Sequence, residues 1–424
     1  MGVELIKGEI KSEPGSSDEL SHLVSQVLSD VEKEGDSALR KYTAKFDGID
    51  LTEFKLSESE IAEIISKVPE ETKELIDTNI ERIRKFCEFQ RGMYKDMVFV
   101  TDDGETVLGQ KIVPIESVGV YVPGGRFPLL SSALMGIIPS KVAGVKRIVA
   151  ATPPGKNRPH PAVLYGIMKA GATEVLTVGG IQAIGALAYG TQSVNRVDKI
   201  CGPGNKFVNE AKRQVFGTVG IDLLAGPSEV LIIADETAEA SMVAYDLLAQ
   251  AEHDVAARSC LVTTSKNLAN EIIKNMDKYI ASLNTREILT ESWENHGSIV
   301  VCESIPEAIE YTNKYAPEHL ELHLNEENTK FAFEHLKNYG SLFLNDSTPV
   351  VFSDKLIGTN HTLPTQSAAR YTGGLSVAAF LKVLTYQKIS GCSALKNLSE
   401  RARKQSLVEG LAGHAKSAEI RLPK

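Results

Sequence analysis

Leu20, Leu23, Val24, Val27, Leu28 and Val31 recur at the helical period, which predicts an N-terminal helix opened by a Ser16-x-x-Glu19 capping box and closed by Gly35. A second apolar stripe runs from Ile61 to Phe89 and breaks at Pro69. From Val118 the period changes. Short β-rich runs at Val118–Val122, Arg147–Ala150 and Glu174–Val178 alternate with Ala-rich helical stretches at Leu130–Ile138 and Ile181–Tyr189. Further runs follow at Val230–Ala234, Cys260–Thr264, Ser298–Cys302, Leu320–Leu324 and Ser341–Leu344, most with helical segments between them. This alternation predicts βαβ units on parallel sheets, in two α/β sets that a duplication could have produced. Leu320–Leu324 alternates strictly and reads as a half-buried strand. The tail from Leu381 onward reads as helical, with Lys and Arg prominent.

With 424 residues, 42% hydrophobic and 24% charged, the chain is long enough for two or more domains with cores of their own. Cys87, Cys201, Cys260, Cys302 and Cys392 are odd in number and form no Cys-x-x-Cys pair. Neither a disulfide framework nor a thiolate zinc site is expected, and a reducing compartment fits best. The net charge of −9 is spread along the chain without a basic block, which argues against a nucleic-acid surface. The apolar runs are too short for a bilayer span, and Met1-Gly-Val-Glu-Leu-Ile-Lys has no secretory core. The expectation is a cytoplasmic protein with neither membrane nor nucleic-acid partners.

Candidate chemistry lies in polar clusters set in Gly-, Pro- and Ala-rich sequence. Gln250 and His253 are three residues apart at the end of an apolar helical run, a spacing that suits two ligands on one metal ion. Asp354 precedes Gly358-Thr359-Asn360-His361, and His414 follows Glu409 in the tail. A Zn²⁺ set of Gln250, His253, Asp354 and His414 has one anionic ligand, leaving positive charge for a polar ligand or an alkoxide. Glu318 and His319, placed after Pro317 at a strand mouth, form a candidate acid/base pair. His319 and His323 do not make a His-Glu-x-x-His motif, and His323 reads as a surface strand residue. His22, His160, His296 and His335 read as structural or surface.

Tyr121-Val-Pro-Gly124-Gly125, Gly179-Gly180-Ile-Gln182 and Cys201-Gly202-Pro203-Gly204-Asn205 each follow a β run. One such turn is ordinary in βα connections. Three in one set point to a nucleotide crevice at the carboxyl edge of a sheet, although no well-placed Gly-x-Gly-x-x-Gly is present. A zinc hydrolase could use the same ligands with a metal-bound water, but has no need of three such turns.

Those motifs, with Ala225-Gly-Pro-Ser228-Glu229-Val, Gln250-Ala-Glu-His253, Ala316-Pro-Glu318-His319-Leu-Glu-Leu and Gly358-Thr-Asn-His361-x-Leu-Pro-Thr365, resemble the histidinol dehydrogenase family in register over nearly the whole chain. The resemblance implies a zinc enzyme that oxidises L-histidinol to L-histidine through histidinal, using two NAD⁺, in the last step of histidine biosynthesis. It implies one Zn²⁺ per subunit on Gln250, His253, Asp354 and His414. Substrate contacts fall on Ser228, Gln250, His253, His319, Asp354, His361, Glu409 and His414. Tyr121, Gln182 and Asn205 match NAD⁺ positions, and Glu318 and His319 the acid/base pair. The implied fold is α/β, with two Rossmann-like domains, one inserted in the other, and small helical N- and C-terminal segments. Its parts here are an N-terminal segment (1–15), a larger domain with the zinc and catalytic residues (16–120 plus 228–375), an inserted NAD-side domain (121–227) and a C-terminal tail (376–424). The implied assembly is an intertwined homodimer whose tail lends the last zinc ligand to the partner. Ser353 stands where the pattern has Gly. Relatives acting on other amino or sulfonated alcohols share much of the pattern, whereas His361 and Glu409 suit histidinol.

Overall fold

The computed structural model describes residues 4–8, 18–124, 130–155 and 159–422. Ser16 of the expected capping box and Gly125 of the first glycine turn lie outside them. The first sheet has five parallel strands in the order Glu174–Leu176, Arg147–Ala151, Ser117–Tyr121, Lys199–Cys201, Gly220–Ile221. Val118, Val120, Ile148 and Val149 are fully buried, as a parallel sheet covered on both faces requires. The second sheet orders Gly297–Val301, Arg258–Thr263, Glu229–Ala234, His319–His323 and Ser341–Phe343, also all parallel, with Glu4–Lys7 added antiparallel at one edge. In both sets the earliest strand of the parallel series is central and the chain winds out to either side. The mixed α/β architecture expected from the sequence is therefore present.

The N-terminal helices begin and end where local chemistry directs. Asp18–Glu34 and Asp36–Asp47 meet at Gly35, and Pro69 stands at the N-cap of Glu70–Arg91, which explains the break in the second stripe. Ser57 and Glu60 form a capping box on Glu58–Ile65. Val24, Val27, Val31 and Leu39 pack with Val149, Leu176 and Ile184, while Ile76, Ile80 and Ile83 pack with Val118, Val120 and Ile148. These helices thus cover the first sheet, whereas the sequence reading grouped 16–120 with the second set.

Two expectations are corrected. Leu381–Ile389 is a strand, not a helix: it pairs antiparallel with Thr106–Pro114, which also pairs with Met97–Val100 in a third sheet. The run Leu-Lys-Val-Leu-Thr-Tyr-Gln-Lys-Ile carries β-branched and aromatic residues, and a distant partner strand settles its conformation. Helices Cys392–Val408 and Ala412–Glu419 then complete the tail. Secondly, Leu320–Leu324 is not half-buried. Strand His319–His323 has a neighbour on each side and every residue buried, so His323 is an interior residue.

Candidate functional site

A cleft of about 1260 Å³ lies between the carboxyl ends of the first sheet's strands and the amino ends of the second's. Ser228, Gln250, His253, Glu318, His319, Asp354 and His361 line it on one side, and Pro203, Gly204 and Asn205 on the other. The first sheet follows the usual rule for open α/β folds in presenting its carboxyl edge. The second presents its amino edge.

His319 opens its strand beside Val230, so Glu318 and His319 both meet the backbone of Glu229. The Glu229 N–H donates to Glu318 Oε2 at 2.8 Å, and the Glu229 carbonyl lies 3.1 Å from His319 Nδ1. That carbonyl makes Nδ1 the protonated nitrogen and leaves Nε2 as an acceptor. Nε2 is buried without a hydrogen-bond partner among the described residues. Burial pushes the His319 pKa down to about 4, so the ring is neutral at neutral pH and its Nε2 lone pair is free to accept a proton. Burial pushes the Glu318 carboxyl well above its ordinary range, with the charges of Glu229 and Asp354 adding to the rise. The Glu229 carboxyl is itself raised by burial to about 7.

Gln250 ends the helix Ala240–Ala251, and both of its amide atoms are buried without partners. His253 follows that helix, its Nε2 3.6 Å from Asp354 Oδ2. Asp354 Oδ1 is 3.7 Å from Nδ1 of His361, a buried nitrogen that also lacks a partner. Burial lowers the His361 pKa. Ser353 sits within the short helix Val350–Lys355, a conformation open to any residue, and its hydroxyl lies 3.1 Å from Thr359 Oγ1. The missing glycine therefore leaves Asp354 aimed into the cleft. The unpaired buried atoms of Gln250 and His361 beside the Asp354 carboxylate are costly in the absence of a cation, and Gln250, His253 and Asp354 together offer an amide, an imidazole and a carboxylate. The donor set fits zinc.

On the opposite wall Gly202 has φ +112°, and a Cβ there would fall 2.2 Å from the Tyr121 carbonyl oxygen. Its N–H donates to Asp222 Oδ2 at 2.8 Å, and its carbonyl accepts from Lys212 Nζ at 3.0 Å. Lys212 and Asp222 are a buried ion pair at 2.5 Å. This clamp holds the loop that leads to Asn205, whose Oδ1 caps helix Lys206–Val215 by accepting from Phe207 and Val208. Of the three residues expected at a dinucleotide, only Asn205 lines the cleft. Tyr121 is buried and accepts the Gly180 N–H at 3.1 Å; Gln182 is fully buried and donates to Asp47 at 3.3 Å.

Glu409 and His414 are exposed on the tail and do not line the cleft. Sequence reasoning also missed a buried cluster of Asp246, Glu321 and His323, whose ligand-type atoms lie within 4.8 Å of one another outside the cleft. Its signal was available: His319, Glu321 and His323 share one face of a strand.

The histidinol dehydrogenase family model matches residues 11–422. A histidinol dehydrogenase homolog of Shouchella clausii is 43% identical over 98% of this chain and 96% of its own length. The histidinol dehydrogenase of Geobacillus kaustophilus is 40% identical over all of both chains. The crystal structure of histidinol dehydrogenase from Elizabethkingia anophelis superposes with a TM-score of 0.90 at 36% identity, covering 97% of this chain and 94% of that one.

Proposed function

Because the chain belongs to the histidinol dehydrogenase family, we propose that it oxidises L-histidinol to L-histidine in two successive NAD⁺-dependent steps with the aid of zinc. The observation that carries this reading is the neutral His319 imidazole beside Glu318, its Nε2 without a partner among the described residues, in one cleft with the unpaired buried atoms of Gln250 and His361 around Asp354.

Gln250, His253 and Asp354 would hold the metal, which when bound supplies a Lewis-acidic anchor for the amino and imidazole nitrogens of the substrate. NAD⁺ supplies the hydride acceptor. His319 Nε2 takes the hydroxyl proton as the alcohol becomes an aldehyde, and the Glu229 carbonyl steadies the resulting imidazolium through Nδ1–H. Glu318 then removes a proton from the water that adds to the aldehyde, giving the hydrate consumed in the second oxidation. Burial raises the proton affinity of the Glu318 carboxylate, so in its ionised form it is a stronger base than an exposed one.

The reading extends to a homodimer in which His414 and Glu409 serve the partner's cleft. Two observations support it. Helices Cys392–Val408 and Ala412–Glu419 pack chiefly on each other, with Val408 89% exposed. Met97, Val98, Phe99 and Val100 are all exposed although successive strand residues face opposite ways, so both faces of this edge strand of the third sheet are bare.

Incubating the protein with limiting L-histidinol and excess NAD⁺ tests the function. The expected result is histidine and two equivalents of NADH, lost on chelation and restored by Zn²⁺. One equivalent, or NADH from another amino alcohol and none from histidinol, overturns it.

A further inference from the structure

Strand His319–His323 aims His319, Glu321 and His323 at one face of the second sheet, since every second residue points the same way. His319 belongs to the cleft. The other two reach the helices that bear the metal-site residues. Glu321 Oε1 accepts the N–H of Val350 at 2.6 Å, capping helix Val350–Lys355, and Asp354 follows one turn later. His323 Nε2 lies 3.3 Å from Asp246 Oδ2 and 3.5 Å from Glu321 Oε2, and Asp246 precedes Gln250 by one turn of helix Ala240–Ala251. We propose that Asp246, Glu321 and His323 are positioning residues, forming a buried ionic link that fixes Gln250, His253 and Asp354 against the strand carrying His319.

The inference rests on the reading of those three residues as zinc ligands. Burial alone would lower the His323 pKa, yet Asp246 and Glu321 raise it to about 9, so one imidazolium holds two carboxylates that belong to different elements. None of the three lines the cleft, so they act on the chemistry only through the groups they place. A ligand held by fixed supports binds metal more tightly, and loss of such outer partners typically weakens binding by about 10–100-fold.

The test is the Zn²⁺ dissociation constant of the full-length protein, measured by competition with a chromogenic chelator, for Asp246→Asn, Glu321→Ala and Glu321→Gln. Asp246→Asn and Glu321→Ala are expected to weaken zinc binding by about 10–100-fold. Glu321→Gln keeps an oxygen for the Val350 N–H and is expected to recover part of that loss. Turnover should fall while the KM for NAD⁺ stays unchanged, a split that a general loss of stability does not produce. Asp246 is only partly buried, so its Asn variant carries the test if Glu321→Ala fails to fold. Wild-type zinc affinity in the folded variants overturns the inference alone. So does a second zinc equivalent in the wild type that Asp246→Asn loses, since the cluster would then be a metal site. Wild-type protein that binds no zinc overturns the metal reading and this inference with it.

Discussion

Glu318 and His319 are neighbours in the chain, yet burial drives their titrations in opposite senses: the imidazole stays neutral and the carboxyl resists ionisation. Both preferences disfavour charge at rest, so each group changes charge only when a proton is transferred. Glu318→Gln keeps a carbonyl for the Glu229 N–H, so the fold should survive. The variant is expected to retain oxidation of histidinol to the aldehyde while oxidation of histidinal falls by about 10²–10⁴-fold. Separate assays with the two substrates check this, and equal losses in both would refute the division of labour. His323 makes a second prediction at this scale. Its folded pKa of about 9 lies above the ordinary 6.5, so its contribution to stability is complete below the lower value and is lost as pH rises through the upper one. Urea unfolding should show wild type exceeding His323→Gln by up to about 3 kcal/mol near neutrality, with the gap closing by about pH 10. Spacing marked Gln250 and His253, and motif position Glu318 and Asp354, as candidates in the sequence, and the four line one cleft in the structure. The same reading misjudged His323, because alternation along a strand says which residues share a face but not whether that face is covered.

At the scale of elements, most strands of the two parallel sheets were readable because each is a short β-rich run followed by turn residues and a helix, while the two-residue edge strand Gly220–Ile221 was too short to read. Leu381–Ile389 was not read as a strand, since its one strand partner among the described residues is Thr106–Pro114, far away in sequence. Its Val, Thr, Tyr and Ile were a local β signal, outweighed in the reading by the prominent Lys and Arg of the tail. That Glu318 and His319 stand at the start of a strand was legible, whereas the edge each sheet turns to the cleft was not, because it depends on how the two sheets face each other. The clamp on Gly202 shows how one helix can hold a loop. Removing Lys212 would strand the Asp222 carboxylate in the interior, so Lys212→Ala is expected to cost about 3–5 kcal/mol of stability. Lys67→Ala, which breaks a pair whose two side chains are each 60% exposed, should cost under about 1 kcal/mol. Denaturant titration of the two variants gives the comparison.

On the scale of the whole molecule, the sequence named Glu409 and His414 as site residues, but position along a chain does not say whose cleft they enter. A shared site makes a quantitative prediction. Mixing His414→Ala with His253→Ala chains should give heterodimers with one doubly damaged site and one intact site, hence about half the wild-type activity per heterodimer. Activity near zero would mean that each tail serves its own subunit. The third sheet has a consequence for how the protein is made. Met97–Val100 and Thr106–Pro114 leave the ribosome early, whereas Leu381–Ile389, which pairs along the whole outer edge of Thr106–Pro114, is translated long afterwards. Throughout that interval the nascent chain carries an apolar hairpin with an open edge, a template for misassembly with other chains. Chains arrested before residue 381 are therefore expected to aggregate and to depend on chaperones until the late strand arrives to close that edge.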